Sequence, residues 1–191
     1  MGNDSWMRRG SRALLGPIVA GLPDARSISF VASGLGLAAV VCFATGDLVI
    51  SNVGAALFVV SMLVERAGPL PQSAEADLKA LRLAAMVHVL TFVGIGFGLR
   101  YTALGPEAIG MGIVTGFAVS ALLLLANRIE RGEDARSVSL GGVETADLLI
   151  IVPIMVWLGK AEVMLAIAAF VAPAMTLGLF VAFLIRQRRK R

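Results

Sequence analysis

The sequence predicts an all-α membrane protein: six transmembrane helices preceded by an N-terminal amphipathic helix that lies at the interface. Three observations carry this expectation. Of the 191 residues, 58% are hydrophobic and only 16% charged, whereas soluble domains run near half apolar and about a quarter charged. The mean hydropathy of +0.85 leaves more apolar surface than a chain of this length can hide from water, so much of it must face lipid. Finally, the apolar residues fall into runs near the ~20 residues needed to cross a bilayer, separated by polar segments that alternate between long and short.

The runs lie at 28–45, 48–64, 83–99, 108–126, 145–159 and 163–185. This divides the chain into an N-terminal cytoplasmic segment at 1–27, a six-helix membrane domain at 28–185 and a polybasic tail at 186–191. The first long apolar run begins too late for a signal peptide, and no small-residue cleavage pattern follows it. Residues 6–18 instead read as an interfacial helix. At 100° per residue Met7, Leu14 and Ile18 share a face with Leu15 beside them, Trp6 sits at the boundary, and Arg8, Arg9 and Arg12 point the other way. The fifth run is the shortest: uninterrupted apolar sequence covers only Leu148 to Leu158, too little for ~30 Å of hydrocarbon unless 143–147 supplies a first turn. Pro153 in its middle removes a backbone donor and is expected to kink it.

Charge sets the orientation. Arg8, Arg9, Arg12 and Arg26, then Arg66, Lys79 and Arg82, then Arg128, Arg131 and Arg136, and finally the tail Arg186, Arg188, Arg189, Lys190 and Arg191 all fall on one side. Only Arg100 and Lys160 fall on the other. The positive-inside rule therefore places the long loops and both termini in the cytoplasm, as for a bacterial inner-membrane protein. The same bias explains a pI near 10 without any nucleic-acid partner. Arg8, Arg9 and Arg12, with Arg186, Arg188 and Arg189 of the tail, are the candidates for contact with anionic lipid headgroups. Cys42 is the single cysteine, which excludes an internal disulfide or a thiolate metal site and reads as a small packing residue.

Candidates for chemistry are few. His88 is the one clear ionisable group within a span; such a group is costly without a partner, so it is either functional or a neutral imidazole bonded to a neighbouring helix backbone. The segment from Glu65 to Arg82 holds Glu65, Arg66, Glu75, Asp77, Lys79 and Arg82. Its carboxylates Glu65, Glu75 and Asp77 have the hard oxygens that Mg²⁺ or Mn²⁺ prefers, although Lys79 competes for them and a solvated loop is the plainer reading. Asp77 and His88 are the candidate catalytic groups. Glu144 and Asp147 precede the fifth span, where acids meet the positive end of a helix dipole. Gly94, Gly96 and Gly98, with Gly112, Gly116 and Ser120, have spacings that let helix backbones approach within a bundle or across a dimer.

The whole layout resembles the CDP-alcohol phosphotransferase family, which joins a CDP-activated lipid or alcohol to a hydroxyl acceptor with release of CMP. The resemblance lies in the six spans, the amphipathic leader and the polar cytoplasmic segment after span two. It extends to local wording: Leu14-Leu-Gly-Pro-Ile-Val-Ala-Gly-Leu-Pro23 before a Gly/Leu/Ala-rich span, and Ser139-Leu-Gly-Gly-Val-Glu-Thr-Ala-Asp147 leading to Pro153 and Trp157-Leu-Gly. The family's motif, Asp-x₂-Asp-Gly-x₂-Ala-Arg followed by Gly-x₃-Asp-x₃-Asp, holds two divalent metals against a diphosphate. Here the matching stretch is Leu63-Val-Glu-Arg-Ala-Gly-Pro-Leu-Pro-Gln72. With Gly68 on the motif glycine, Val64 and Ala67 replace the first two aspartates, while Ala76, Ala80 and Ala84 stand in for the second half.

The resemblance therefore implies the family's fold without its two-metal activity: an accessory or regulatory homologue in phospholipid or glycolipid synthesis, with no cofactor and membrane lipids as partners. A homodimer, common in the family, or a membrane partner protein is a further expectation. Two alternatives stand beside it. One is an active phosphatidyltransferase-type enzyme with a metal site (Mg²⁺ or Mn²⁺) rebuilt from Glu65, Glu75 and Asp77 with His88. The other is a small transporter-like or structural protein, although the chain has no inverted repeat and a single ionisable group in mid-membrane.

Overall fold

The computed structural model describes residues 6–21, 25–68, 74–130 and 145–189. All the regular structure among them is helical: α1 (Trp6–Val19), α2 (Ala25–Ala44), α3 (Leu48–Ala67), α4 (Ala74–Leu99), α5 (Glu107–Glu130), a 3-10 helix (Thr145–Ile150) running into α6 (Ile151–Trp157), and α7 (Ala161–Arg189). Five of these, at Arg26–Ala44, Leu48–Ala67, Lys79–Leu99, Glu107–Ala126 and Ala161–Ile185, are long and apolar enough to cross a membrane. The chain is thus an all-helical membrane protein.

The segment expected as a fifth span is different in kind. It is a short apolar helix over Asp147–Trp157 packed along α3. Two contacts fix its run. Asp147 pairs with Arg66 at 3.4 Å near the end of α3, and Trp157 Nε1 donates to the Asn52 carbonyl at 3.2 Å near its start. Asn52 and Arg66 are 14 residues apart on α3, roughly 21 Å at 1.5 Å per residue. The segment therefore lies antiparallel to α3, and its own ten steps from Asp147 to Trp157 rise about 17 Å, a little over half of a ~30 Å hydrocarbon layer. Pro153 lies in the middle of the segment as its third α6 residue, directly after the 3-10 turn passes into α6, so the change of helix type falls beside its missing N–H.

The tight turns form where the chain marks them. Asp47 caps α3 by accepting from the Ile50 N–H at 2.9 Å, as a short acceptor before a helix does. Gly46, with φ +74°, turns the chain where a Cβ would meet the Gly98 carbonyl. The glycine rows are consumed inside the bundle. A Cβ on Gly94 would stand 2.8 Å from the Val40 oxygen, and one on Gly98 would overlap the Phe43 oxygen, so α4 touches α2 backbone to backbone. On its next face Gly96 meets Ala108, while Gly112 and Gly116 of α5 meet Phe92 and Val89. Ser120 closes the row with a hydrogen bond to the Ala85 carbonyl at 2.9 Å.

The core runs along α3, α4, α6 and the first turns of α7 through Phe58, Met62, Phe92, Ile95, Val152 and Leu165. By contrast only 6% of the α7 window is buried. This helix packs chiefly on α5 and leaves Phe170, Leu177 and Phe180 outward, facing lipid. The amphipathic helix also corrects an expectation. Met7, Ser11 and Val19 of α1 are buried, because α1 docks on α3 and its fourth-residue row turns into the bundle. Leu14 and Ile18 stay exposed, as do Arg9 and Arg12 on the opposite side of the helix. The lipid-facing edge of α1 is therefore Leu14 and Ile18, without Met7.

Candidate functional site

The polar stretch expected as a loop from Glu65 to Arg82 is mostly helix, since α3 continues to Ala67 and α4 starts at Ala74. That extension lifts Glu65 out of a loop and fixes it on the last turn of α3. There it forms the rim of a narrow pocket between α2, α3 and α4, lined by Ser29, Ser33, Phe58, Ser61, Glu65 and His88 among others. The space is about 20 Å³, enough for a group the size of water.

Helical spacing explains how so many polar groups converge among apolar spans. Ser29 and Ser33 are four apart on α2, and Ser61 and Glu65 are four apart on α3, so each pair shares a face. The outer tier is Ser29, Glu65 and Ala80, the middle Ser33 and Ser61, and the floor Phe58, Val87 and His88, judged by depth from the helix ends at residues 25, 67 and 74. Gly36 sits just beyond the floor: a Cβ there would stand 2.5 Å from Val87 Cγ1 and 3.3 Å from Ser61 Oγ. Its absence lets α2 close against the other two helices. Ser61 donates to the Ala32 carbonyl at 2.7 Å, which ties α3 to α2 and leaves the serine's lone pairs available.

His88 is 8% exposed. Its ring meets Phe58 edge-on, with centroids 6.3 Å apart. Its Nδ1 is buried with no hydrogen-bond partner among the described residues, so the plain reading of a histidine bonded to a neighbouring backbone is not what the fold provides. An unpaired buried polar atom costs about 1–3 kcal/mol, which marks the imidazole as a group held ready for something else. The carboxylate of Glu65 feels the positive charges of Arg66 and Arg8.

Beside the pocket, the Arg66–Asp147 pair is buried, with side chains 12% and 1% exposed. Asp147 does lie in the first turn of its helical segment, as a dipole cap would, but it also anchors that segment to α3. The sequence reading found this carboxylate without finding its partner, because nothing local links residues 66 and 147.

The predicted site residues are only partly brought together. Glu65 and His88 line one pocket. Glu75 and Asp77 lie in the first turns of α4 with side chains outside the described residues, as do Glu144 and the side chains of Arg186 and Arg189. Arg9, Arg12 and Arg188 are exposed, whereas Arg8 is half-buried. Among the described residues no three His, Cys, Asp or Glu side chains converge on a metal-sized site. The sequence reading missed Ser29, Ser33, Ser61 and Phe58; the four-residue spacing of the serines on spans otherwise apolar was the available signal.

No protein-family model, curated protein or solved structure matches the chain.

Proposed function

We propose that this chain is a six-crossing membrane protein on the plan of the CDP-alcohol phosphotransferases, that its metal site has given way to a metal-poor pocket, and that it acts as an accessory or regulatory homologue in phospholipid or glycolipid synthesis. In this reading the short Asp147–Trp157 segment is the fifth crossing, both termini face the cytoplasm, and the pocket opens on that side.

The observation that carries the reading is the pocket's place and donor set. It lies at the loop-side ends of α2, α3 and α4, where the sequence resemblance places the family's metal-binding motif. Among the described residues its walls offer one carboxylate, Glu65, and one imidazole, His88, the side chains of Glu75 and Asp77 lying outside that description. Two divalent ions beside a diphosphate need several carboxylates within a few ångströms, and alanine occupies 76, 80 and 84 on the facing helix. The described residues do not fit the metals, and no transfer step is derived through them. The orientation rests on the Lys/Arg bias, and the fifth crossing on the antiparallel run of the segment along α3 between its contacts to Arg66 and Asn52.

Calorimetry on the purified, folded protein in detergent tests this. The expected result is no saturable binding of Mn²⁺ or of CDP. Binding of both, each lost in Glu65→Ala or Asp77→Ala, would replace the proposal with the rebuilt-site enzyme, for which the shared pocket of Glu65 and His88 is the supporting feature.

A further inference from the structure

We infer that the pocket between α2, α3 and α4 is a binding site for a primary ammonium group, carried either by an aminoalkyl lipid headgroup or by a small free amine. The inference rests on the pocket's own chemistry and stands apart from the transferase-like plan and from the number of crossings.

The lining is rich in acceptors. Glu65 contributes a carboxylate at the rim. Ser61 has its proton committed to the Ala32 carbonyl at 2.7 Å, so it presents lone pairs. His88 on the floor, 8% exposed, has a buried Nδ1 without a partner among the described residues, and a neutral imidazole keeps one accepting nitrogen. Among the described residues no Lys or Arg lines the pocket.

Three ligand classes can be weighed against that inventory. A phosphate oxygen would bring negative charge against Glu65 and find, among the described lining residues, serine hydroxyls and one imidazole N–H as donors. A hydroxyl supplies a single proton and no charge to set against the carboxylate. An ammonium supplies three donors and the matching charge. Size narrows the choice further, because about 20 Å³ admits a group like water and excludes a trimethylammonium. The neighbouring cations are consistent with this. Arg66 pairs with Asp147 at 3.4 Å, yet its charge and that of Arg8 both act on Glu65, and these two guanidinium groups are the competitors of the amine.

The test is calorimetric titration of the full chain in a neutral maltoside detergent and amine-free buffer. The probes are ethanolamine, choline and ethylene glycol, then dihexanoyl phosphatidylethanolamine and dihexanoyl phosphatidylglycerol. Ethanolamine or the ethanolamine lipid is expected to bind at least about tenfold tighter than its choline, diol or glycerol counterpart. Preference for the lipid over free ethanolamine identifies a headgroup site, and equal affinity identifies a free-amine site. Glu65→Gln is expected to weaken binding about tenfold or more, and Arg8→Gln to strengthen it, by removing one competing charge. His88→Gln keeps an acceptor and is expected to retain binding that His88→Leu loses. Thermal melts confirm that each variant is folded. Equal binding of the diol or choline, unchanged affinity in folded Glu65→Gln, or no saturable binding of either amine overturns the inference.

Discussion

Asp147→Ala is expected to lower the thermal midpoint of the protein by roughly 10 °C, measured by differential scanning fluorimetry in a fixed detergent. The carboxylate is 1% exposed and sits 3.4 Å from Arg66, itself only 12% exposed. Removing one member of a buried pair takes from the other charge its ion-pair partner at 3.4 Å, at a cost of about 3–5 kcal/mol, which corresponds to about 6–20 °C in a chain of this size. Pairs of this kind are often worth little more than a well-packed apolar replacement, because desolvation offsets their attraction. The double variant Arg66→Met, Asp147→Leu is accordingly expected to recover most of the loss. If Asp147→Ala melts like the wild type, the pair does not anchor the Asp147–Trp157 segment to α3.

Gly98→Val is expected to be the most damaging single change in the bundle. A Cβ at Gly98 overlaps the Phe43 carbonyl oxygen and reaches to 3.3 Å of the Gly46 backbone, which leaves no flexible side chain to move aside. Overpacking a tight core costs about 1–3 kcal/mol and occasionally more; backbone on both sides places this case at the top of that range. The readout is the fraction of monodisperse protein recovered after detergent extraction, with the thermal midpoint of what remains. Gly178→Ala is the control. Nothing lies within 4 Å of its Cβ position and it sits inside α7, so alanine is expected to be neutral or to stabilise by up to about 1 kcal/mol through helix propensity.

Both cases show where a sequence is informative about a membrane bundle and where it is not. Apolar run length located the five long spans to within a few residues, because the requirement for about 20 consecutive apolar residues is imposed by the bilayer and not by the neighbours. The glycine spacings marked close approach, but whether Gly94, Gly96 and Gly98 served this bundle or a second copy depended on which helices lie beside α4. The fifth run could not be read with the same ease: its 3-10 turn and its position of Pro153 follow from docking on α3 through Asp147 and Trp157, contacts with residues 66 and 52.

The site was legible in the same uneven way. His88 and Glu65 stood out because ionisable groups within or beside a span carry a cost. Ser29, Ser33 and Ser61 did not, since a lone serine in an apolar helix usually bonds its own backbone, as Ser11 does to the Met7 carbonyl at 2.8 Å. Only the packing of three helices makes those serines a common lining. The face of α1 was misread because periodicity ranks residues by hydrophobicity, whereas docking on α3 selected the row Met7, Ser11 and Val19, which includes a serine.

The central claim is that the Asp147–Trp157 segment crosses the membrane, so that α7 runs back toward the side of the N-terminus and the pocket and tail share the cytoplasm. Single-cysteine accessibility tests it most directly. With Cys42 replaced by alanine, cysteines are introduced one at a time at Gly159, in the turn after α6, and at Arg188, in the tail. Intact cells are then treated with a membrane-impermeant maleimide. Six crossings predict that Gly159→Cys labels from outside and that Arg188→Cys labels only after the membrane is opened. Labelling of Arg188→Cys in intact cells, with Gly159→Cys protected, would mean five crossings and would contradict the account.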